Sequence, residues 1–526
     1  MNFILAFLKK TGSFLSQRYL SLKERTRPFL KELELFRVLS RNSVYCGISG
    51  ILDLGETLEI ESLAVEVDSF SLEHKDLASL LSKHVSLEEY AGGLAFLEKG
   101  QKLCRLLTEL DGRCQLAYRP GLQQRVESLL RKLKKFLAQE DLDRERYALS
   151  LPFSTMEIVN RALIQIKDIH WQLQQDILGN LEKIQALSPI PIVSPSVYRQ
   201  YARLNAVLNM LDRLEIRGRD SAGVGIQVAF ASLEARERFL QQHPATTERL
   251  KISDFASQHI HIFPQTVSIS LTFKVAQAVG QLGENGRQLR QSLSTDLFLG
   301  ALFSQEKVVL QIFSHTRWAS NGVISEPNCH PVDNEVYSYE KNQGDFLVWN
   351  NSFYPGRRQA HLQSMLNGDI DNYQSLRAQI ETPLYGISPR VSTDAKIIPL
   401  VVERYLHQGY ELKEAFRHAF NDFEGSFAIA LISDLEPHLV YLGVRGSGQG
   451  LYIGLLNKGY SFGSEIYGII EETSHYISLE GQAKNPENPR CREGQIVILD
   501  QRSEGGVESL QGYYCDGTRL SGFTVK

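Results

Sequence analysis

The period of the sequence changes near residue 195, and that change restricts the fold more than any other feature. From Leu52 to Ser194, leucines are interleaved with charged residues at helical spacing. Ile166, Ile169, Leu173, Ile177, Leu181 and Ile184 fall three or four apart, which sets them on one face of an amphipathic helix. Two prolines in Ser188-Pro-Ile-Pro191 stop that helix, because a proline ring lacks the N–H and collides with the preceding turn. Beyond Val197 a further helix is expected through "YRQYARLNAVLNMLDRLE", followed by a turn at Arg217-Gly-Arg-Asp220. Strand candidates then recur: "AGVGIQVAF", "VVLQIFSH", "FLVWNN", "SFAIALIS", "LVYLGVR", "LYIGLL" and "QIVILD". The helical patterns "DAKIIPLVVERYLHQG" and "LKEAFRHAF" lie between them. Short strands in hairpin-like succession with grouped helices predict an α+β sandwich of layered sheets, not a doubly wound fold.

Composition narrows the function classes. Hydrophobic residues make up 43% and charged residues 22%, which fits a globular chain and not a disordered one. A net charge of -4 offers no general electrostatic basis for binding nucleic acid or an anionic membrane. No apolar run reaches bilayer-spanning length. The six cysteines (46, 104, 114, 329, 491 and 515) include no CxxC pair, so a disulfide framework is not expected and a reducing, cytoplasmic setting is. Residues 1–45 read as a basic amphipathic leader. Its positive charge follows the apolar stub instead of preceding it, unlike a secretory signal. A surface helix is the simplest reading of this leader, with membrane contact the lesser alternative.

Five segments carry the chemistry. A strand-like Cys46-Gly-Ile-Ser-Gly50 is followed by Arg213-Leu-Glu-Ile-Arg-Gly-Arg-Asp-Ser-Ala-Gly223 and Ser314-His-Thr-Arg-Trp-Ala-Ser-Asn-Gly322. Leu366-Asn-Gly-Asp-Ile-Asp-Asn-Tyr373 and Val391-Ser-Thr-Asp-Ala-Lys-Ile-Ile398 come next. Singly, Arg317 reads as an ion-pair residue, Trp318 as packing, Asn367-Gly368 as a hairpin turn and Asp394 as a helix N-cap. In this order, the set resembles the class II glutamine amidotransferases, and among them the glutaminase domain of the glucosamine-6-phosphate synthase (glutamine–fructose-6-phosphate aminotransferase) type. The resemblance covers residues 46–50 and about 200–510.

That resemblance implies an N-terminal nucleophile hydrolase fold, a four-layer αββα sandwich, here with a large helical insertion. It implies the domains 1–45 (leader or propeptide), 46–51 with 196–510 (amidotransferase), 52–195 (insertion) and 511–526 (C-terminal tail). By the same resemblance Cys46 is the nucleophile, its own α-amine the general base, and a γ-glutamyl thioester the intermediate. Asn367 and the backbone N–H of Gly368 take the oxyanion positions. Arg317 matches the residue that binds the substrate carboxylate and Asp394 the one that binds its ammonium. Trp318 lies in the closing loop, Ser320 and Asn321 stand beside the substrate, and Arg217 lies near the nucleophile. No cofactor and no metal are implied; the partners are glutamine and an ammonia-accepting, sugar-isomerase-type synthase domain or subunit.

The sequence departs from the family pattern in ways that change the expectation. Cys46 is internal, so its nitrogen is an amide and activity requires cleavage between Tyr45 and Cys46. Otherwise the chain is a silent binding or regulatory protein on the same fold. The usual His-Asn-Gly is Leu366-Asn367-Gly368, and Asn321 replaces a His. Sugar-isomerase domains are not expected before the end of this sequence at Lys526. Elsewhere, His259-Ile-His261 would set two imidazoles on one face of a strand, half of a metal site, with no His or Cys spaced to complete it.

Overall fold

The computed structural model describes residues 46–53, 67, 76–82, 86–147, 151–243, 249, 256–276, 281–319, 322–338, 360–381 and 385–526. They fall into two compact units, one drawn from 67–104 and 124–174, the other from 46–53, 105–123 and 175–526.

The smaller unit is helical. Its main helices are α1 (Pro120–Tyr147) and α2 (Phe153–Trp171). Val126, Leu129 and Leu133 of α1 and Val159, Leu163 and Ile166 of α2 are buried at helical spacing. Glu140 is also buried, accepting from Leu77 N at 2.8 Å and from the Tyr90 hydroxyl. Burial pushes its carboxyl up. The predicted helix does end at Leu187, and all six residues of its apolar face are buried. It is interrupted by a π-helical stretch over Gln172–Leu178 that the periodicity did not reveal.

The larger unit contains the strands β1 (Gly47–Asp53), β2 (Ser221–Ala229), β3 (His259–His261), β4 (Ser268–Ala276), β5 (Val309–Arg317) and β6 (Val332–Asp333). There follow β7 (Tyr337–Ser338), β8 (Leu362–Gly368), β9 (Tyr385–Gly386), β10 (Phe427–Ser433) and β11 (Leu439–Arg445). The last are β12 (Tyr452–Leu456), β13 (Gly459–Gly463), β14 (Tyr476–Ser478), β15 (Gln495–Asp500) and β16 (Gln511–Tyr514). One antiparallel sheet has the order β14-β12-β13-β1-β5-β2-β4-β3, the other β16-β15-β11-β10-β8-β6, and β7 pairs with β9.

Alternation along β10 shows how the layers arise. Ala428, Ala430 and Ile432 face the first sheet, meeting Ile48, Leu52, Phe313 and Phe462. Phe427, Ile429 and Leu431 face the other way, into a core with Ile398, Val401 and Val402 of α5 (Ile397–His407) and Phe416 and Phe420 of α6 (Leu412–Asp422). On the outer side of the first sheet, α3 (Pro195–Leu214) packs on β1 and β5, and α4 (Glu284–Ser294) on β2 and β4. The result is the αββα order of layers. Helix α3 starts where its sequence directs: Ser194 caps Val197 N at 3.3 Å and Pro195 occupies the first turn.

Several expectations need adjusting. Residues 105–123 and 175–195, read as insertion, group with the sandwich. The cause is polar as well as apolar: Arg113 pairs with Glu472 at 2.8 Å, and Asn180 donates to Glu471 at 3.1 Å. The segment read as a tail supplies β16, paired with β15. The strand proposed at "FLVWNN" lies outside the described residues. Among the described residues no helix is long and apolar enough to cross a membrane.

Gly223 of the "DSAG" segment shows why that position lacks a side chain. A Cβ there would lie 2.0 Å from the carbonyl oxygen of His330, while Gly223 is itself paired with His315 across β5. The expected outcome of Gly223→Ala is a loss of about 1–3 kcal/mol in chemical denaturation, since backbone and not a flexible side chain must yield.

Candidate active site

Cys46 immediately precedes β1, whose position is fixed on both sides. Gly47 is paired with Thr316 of β5 and Ser49 with Gly463 of β13. Ile48 adds two bonds to Ser464, donating to its hydroxyl at 3.1 Å and accepting from its backbone N–H at 2.9 Å. At the end of β5, Asp220 N donates to Arg317 O at 3.1 Å, and Asp220 Oδ2 accepts from Ala319 N at 2.8 Å. This clasp holds the turn after Arg317 beside the start of β1, so that Trp318 N lies 3.4 Å from Cys46 Sγ.

The second sheet reaches the same point. Asn367, near the end of β8, donates from Nδ2 to the Cys46 carbonyl at 2.9 Å. Gly368 follows with φ +84°, and a Cβ there would lie 2.1 Å from Ser426 O, so glycine alone fits. Asp394 opens a 3-10 turn and accepts from Ile370 N through Oδ2 at 2.8 Å.

Behind these groups lies a buried relay that the sequence reading did not assign. His315 Nε2 is 2.8 Å from Leu366 O and 3.1 Å from Asn367 Oδ1, both acceptors, so this nitrogen carries the proton. His330 Nδ1 accepts from Leu366 N at 3.3 Å, which leaves its proton on Nε2, facing Thr393 Oγ1 at 3.5 Å. The Thr393 hydroxyl in turn faces Asp394 Oδ1 at 3.5 Å. Polar contacts thus run from Asn367 to Asp394 through two neutral imidazoles. His315 fixes which end of the Asn367 amide is the donor. Burial is the main cause that lowers the His315 pKa to about 3 and holds that of His330 well below its usual value. A signal for His315 existed: it alternates with Arg317 along β5, so both lie on one face.

The electrostatics do not activate the thiol. Burial pushes Cys46 up to about 12; the Trp318 N–H and the Arg317 charge oppose this, while Asp394 and Asp369 reinforce it. Asp394 is raised to about 6, first by burial, with Asp369 adding to the shift and Arg317 opposing it. The structure therefore brings Cys46, Asn367, Gly368, Arg317, Asp394 and the Trp318 backbone together. Trp318 is 47% exposed. Arg217 is directed to Glu465 and to Tyr467 Oη, the latter at 3.1 Å, and so braces the segment next to Ser464. Ser320 and Asn321 lie outside the described residues.

Residues 355–471 match a family described as a glutamine amidotransferase domain. The matched segment includes Asn367, Gly368 and Asp394. Curated relatives are glutamine–fructose-6-phosphate aminotransferases [isomerizing]. That of Methanothermobacter thermautotrophicus is 27% identical over 187 residues, 36% of this chain and 25% of the relative. That of Halalkalibacterium halodurans is 26% identical over 165 residues, 31% and 23% of the two chains. That of Acidithiobacillus ferridurans is 30% identical over 166 residues, 32% and 23%. The matches thus span about a quarter of the relatives' length. Among solved structures, the glutamine phosphoribosylpyrophosphate amidotransferase of B. subtilis aligns over 60% of this chain and 48% of its own, at 14% identity and TM-score 0.35.

The buried imidazoles predict an acid sensitivity with a definite sign. His315 has a folded pKa near 3 against an ordinary 6.5, so below pH 6.5 the unfolded chain takes up a proton the folded one refuses. Its contribution therefore erodes as pH falls from 6.5 toward 3, at up to about 1.4 kcal/mol per pH unit. Denaturant titrations between pH 7.5 and 5 should show His315→Gln removing about that much of the slope.

Proposed function

We propose that this domain hydrolyses glutamine, with Cys46 as nucleophile, and that it does so after removal of residues 1–45. The observation that carries this reading is the bond from Asn367 Nδ2 to the Cys46 carbonyl, made between sheets beside Arg317 and Asp394. A thiol with its pKa near 12 is protonated at neutral pH and needs a base. Cleavage before Cys46 would supply one by turning the amide nitrogen into an amine.

The steps follow from the groups present. The free amine takes the thiol proton, and Sγ attacks the side-chain amide carbon of glutamine. Asn367 has two amide protons; one goes to the Cys46 carbonyl and the other serves the oxyanion together with Gly368 N–H. Collapse of the tetrahedral intermediate expels ammonia, using the proton held on the amine, and leaves a γ-glutamyl thioester. Water then attacks the thioester and releases glutamate. Arg317 suits the substrate carboxylate because its guanidinium presents a planar fork of donors, and Asp394 suits the ammonium by charge. Trp318, with Ser320 and Asn321, would close over the bound substrate, and Arg217 would steady the nucleophile's strand.

That the relatives are isomerizing aminotransferases of fructose 6-phosphate supports an ammonia acceptor of the sugar-isomerase type, as further domains or as a partner subunit; the six free cysteines support a reducing, cytoplasmic setting. Intact mass of the protein from its native host should show a chain beginning at Cys46. That species should be labelled at Cys46 by a glutamine-analogue electrophile and should release glutamate from glutamine. Cys46→Ala should abolish both. A chain that keeps residues 1–45 throughout and resists labelling would favour the silent binder.

In the unmasked chain, Asp394→Asn should raise KM for glutamine by at least about tenfold, with a smaller change in kcat, because a buried charge partner is lost. An unchanged KM would remove Asp394 from the ammonium site.

A further inference from the structure

His259 and His261 occupy alternate positions of β3, so both rings leave the same face of the strand. That face meets the second sheet. The His261 ring stacks on His361, next to the start of β8, with centroids 3.8 Å apart and planes at 12°. Glu335 lies two residues beyond β6, and its Oε1 is 2.5 Å from His261 Nδ1. One ligand atom from each of His259, His261 and Glu335 can be chosen so that all three lie within 4.8 Å of one another. The sequence spaces no further His or Cys to complete this pair, but a carboxylate from the segment after β6 stands beside it.

We propose that His259, His261 and Glu335 bind one zinc-class divalent cation, with water in the fourth position, and so join edge strand β3 of one sheet to the segment after edge strand β6 of the other. Two imidazoles and a carboxylate are donors that zinc accepts in tetrahedral geometry. Bonds of about 2.0–2.1 Å set tetrahedral donors about 3.3 Å apart, so the 2.5 Å His261–Glu335 pair would open to admit the ion, with all three donors already within 4.8 Å of one another. The supports of these ligands are already fixed. Glu335 N donates to Asp333 Oδ1 at 3.1 Å, and Asp333 is paired with the buried Lys396 at 2.7 Å. On the other side, Gln258 holds a left-handed φ of +66° immediately before β3. Its N–H donates to Thr272 O at 2.7 Å and its carbonyl accepts from Arg249 Nη2 at 2.8 Å.

A second observation points to the same ligand. His361 is buried, and neither of its ring nitrogens has a hydrogen-bond partner among the described residues. Its plane is parallel to that of His261, so the two rings cannot converge on one ion. A water on the metal would instead provide a donor for His361, the outer-shell role that imidazole and carboxylate groups commonly take.

The test uses the full chain, made without a polyhistidine tag and stripped with a chelator. Competition against a chromophoric chelator should show one equivalent of zinc per chain. Cobalt(II) should give the intense visible absorption of a tetrahedral site, and the unfolding midpoint should rise with zinc but not magnesium. His259→Ala and Glu335→Gln should each lose the equivalent, whereas exposed His475→Ala should keep it. The proposal fails if the wild-type chain takes up no zinc at micromolar concentration, if the cobalt spectrum is the weak octahedral one, or if folded His259→Ala and Glu335→Gln still bind a full equivalent. Should both variants fail to fold, the wild-type stoichiometry and cobalt spectrum decide alone.

Discussion

The hydrogen bond from Asn367 to the Cys46 carbonyl is the contact on which the site depends, because its two ends belong to different sheets. Its length is set by the register of β1 within one sheet and of β8 within the other. A one-residue slip in either would turn the relevant side chain to the opposite face. The layers between which it forms are ordinary hydrophobic packing, with alanines of β10 opposite Ile48 and Phe313. The polar contact then converts that packing into a defined position for Cys46. His315 and His330 serve it from behind, orienting the amide of Asn367 and reaching Asp394 through Thr393.

Burial has opposite consequences for the groups at this site. It keeps the two imidazoles neutral, which is the state their hydrogen bonds require, and it keeps the thiol protonated, which is the inert state. Arg317 is insufficient to reverse the second effect. Arg317 and Asp394 act on the sulfur in opposite directions, so the charges of the site leave the effect of burial standing.

Much of this was legible in the sequence. Arg317 and Asp394 stand in ordered segments whose combination is distinctive, and β11 and β15 have the bounds of their apolar runs. What escaped depended on distant partners. His315 lay within a quoted segment, yet its role needs β8 on the facing sheet. Glu335 gave no local sign of a cluster, since its neighbours in space come from β3. Residues 105–123 read as insertion because their helical period says nothing about where Arg113 finds Glu472. β16 looked like a tail because four residues after a polar loop carry too weak an alternation to identify an edge strand.

The pairing of β1 also bears on the order in which the molecule can be made. Its hydrogen-bonded neighbours, β5 and β13, begin at residues 309 and 459. A ribosome emitting the chain from its N-terminus has released Cys46 long before either neighbour exists. The strand after Cys46 can gain its first partner only once residue 309 has been synthesised, and its second only once residue 459 has been. Non-local pairing of this kind is intrinsically slow to form. Synthesis of β13 therefore sets the earliest moment at which the strand after Cys46 can be held on both sides.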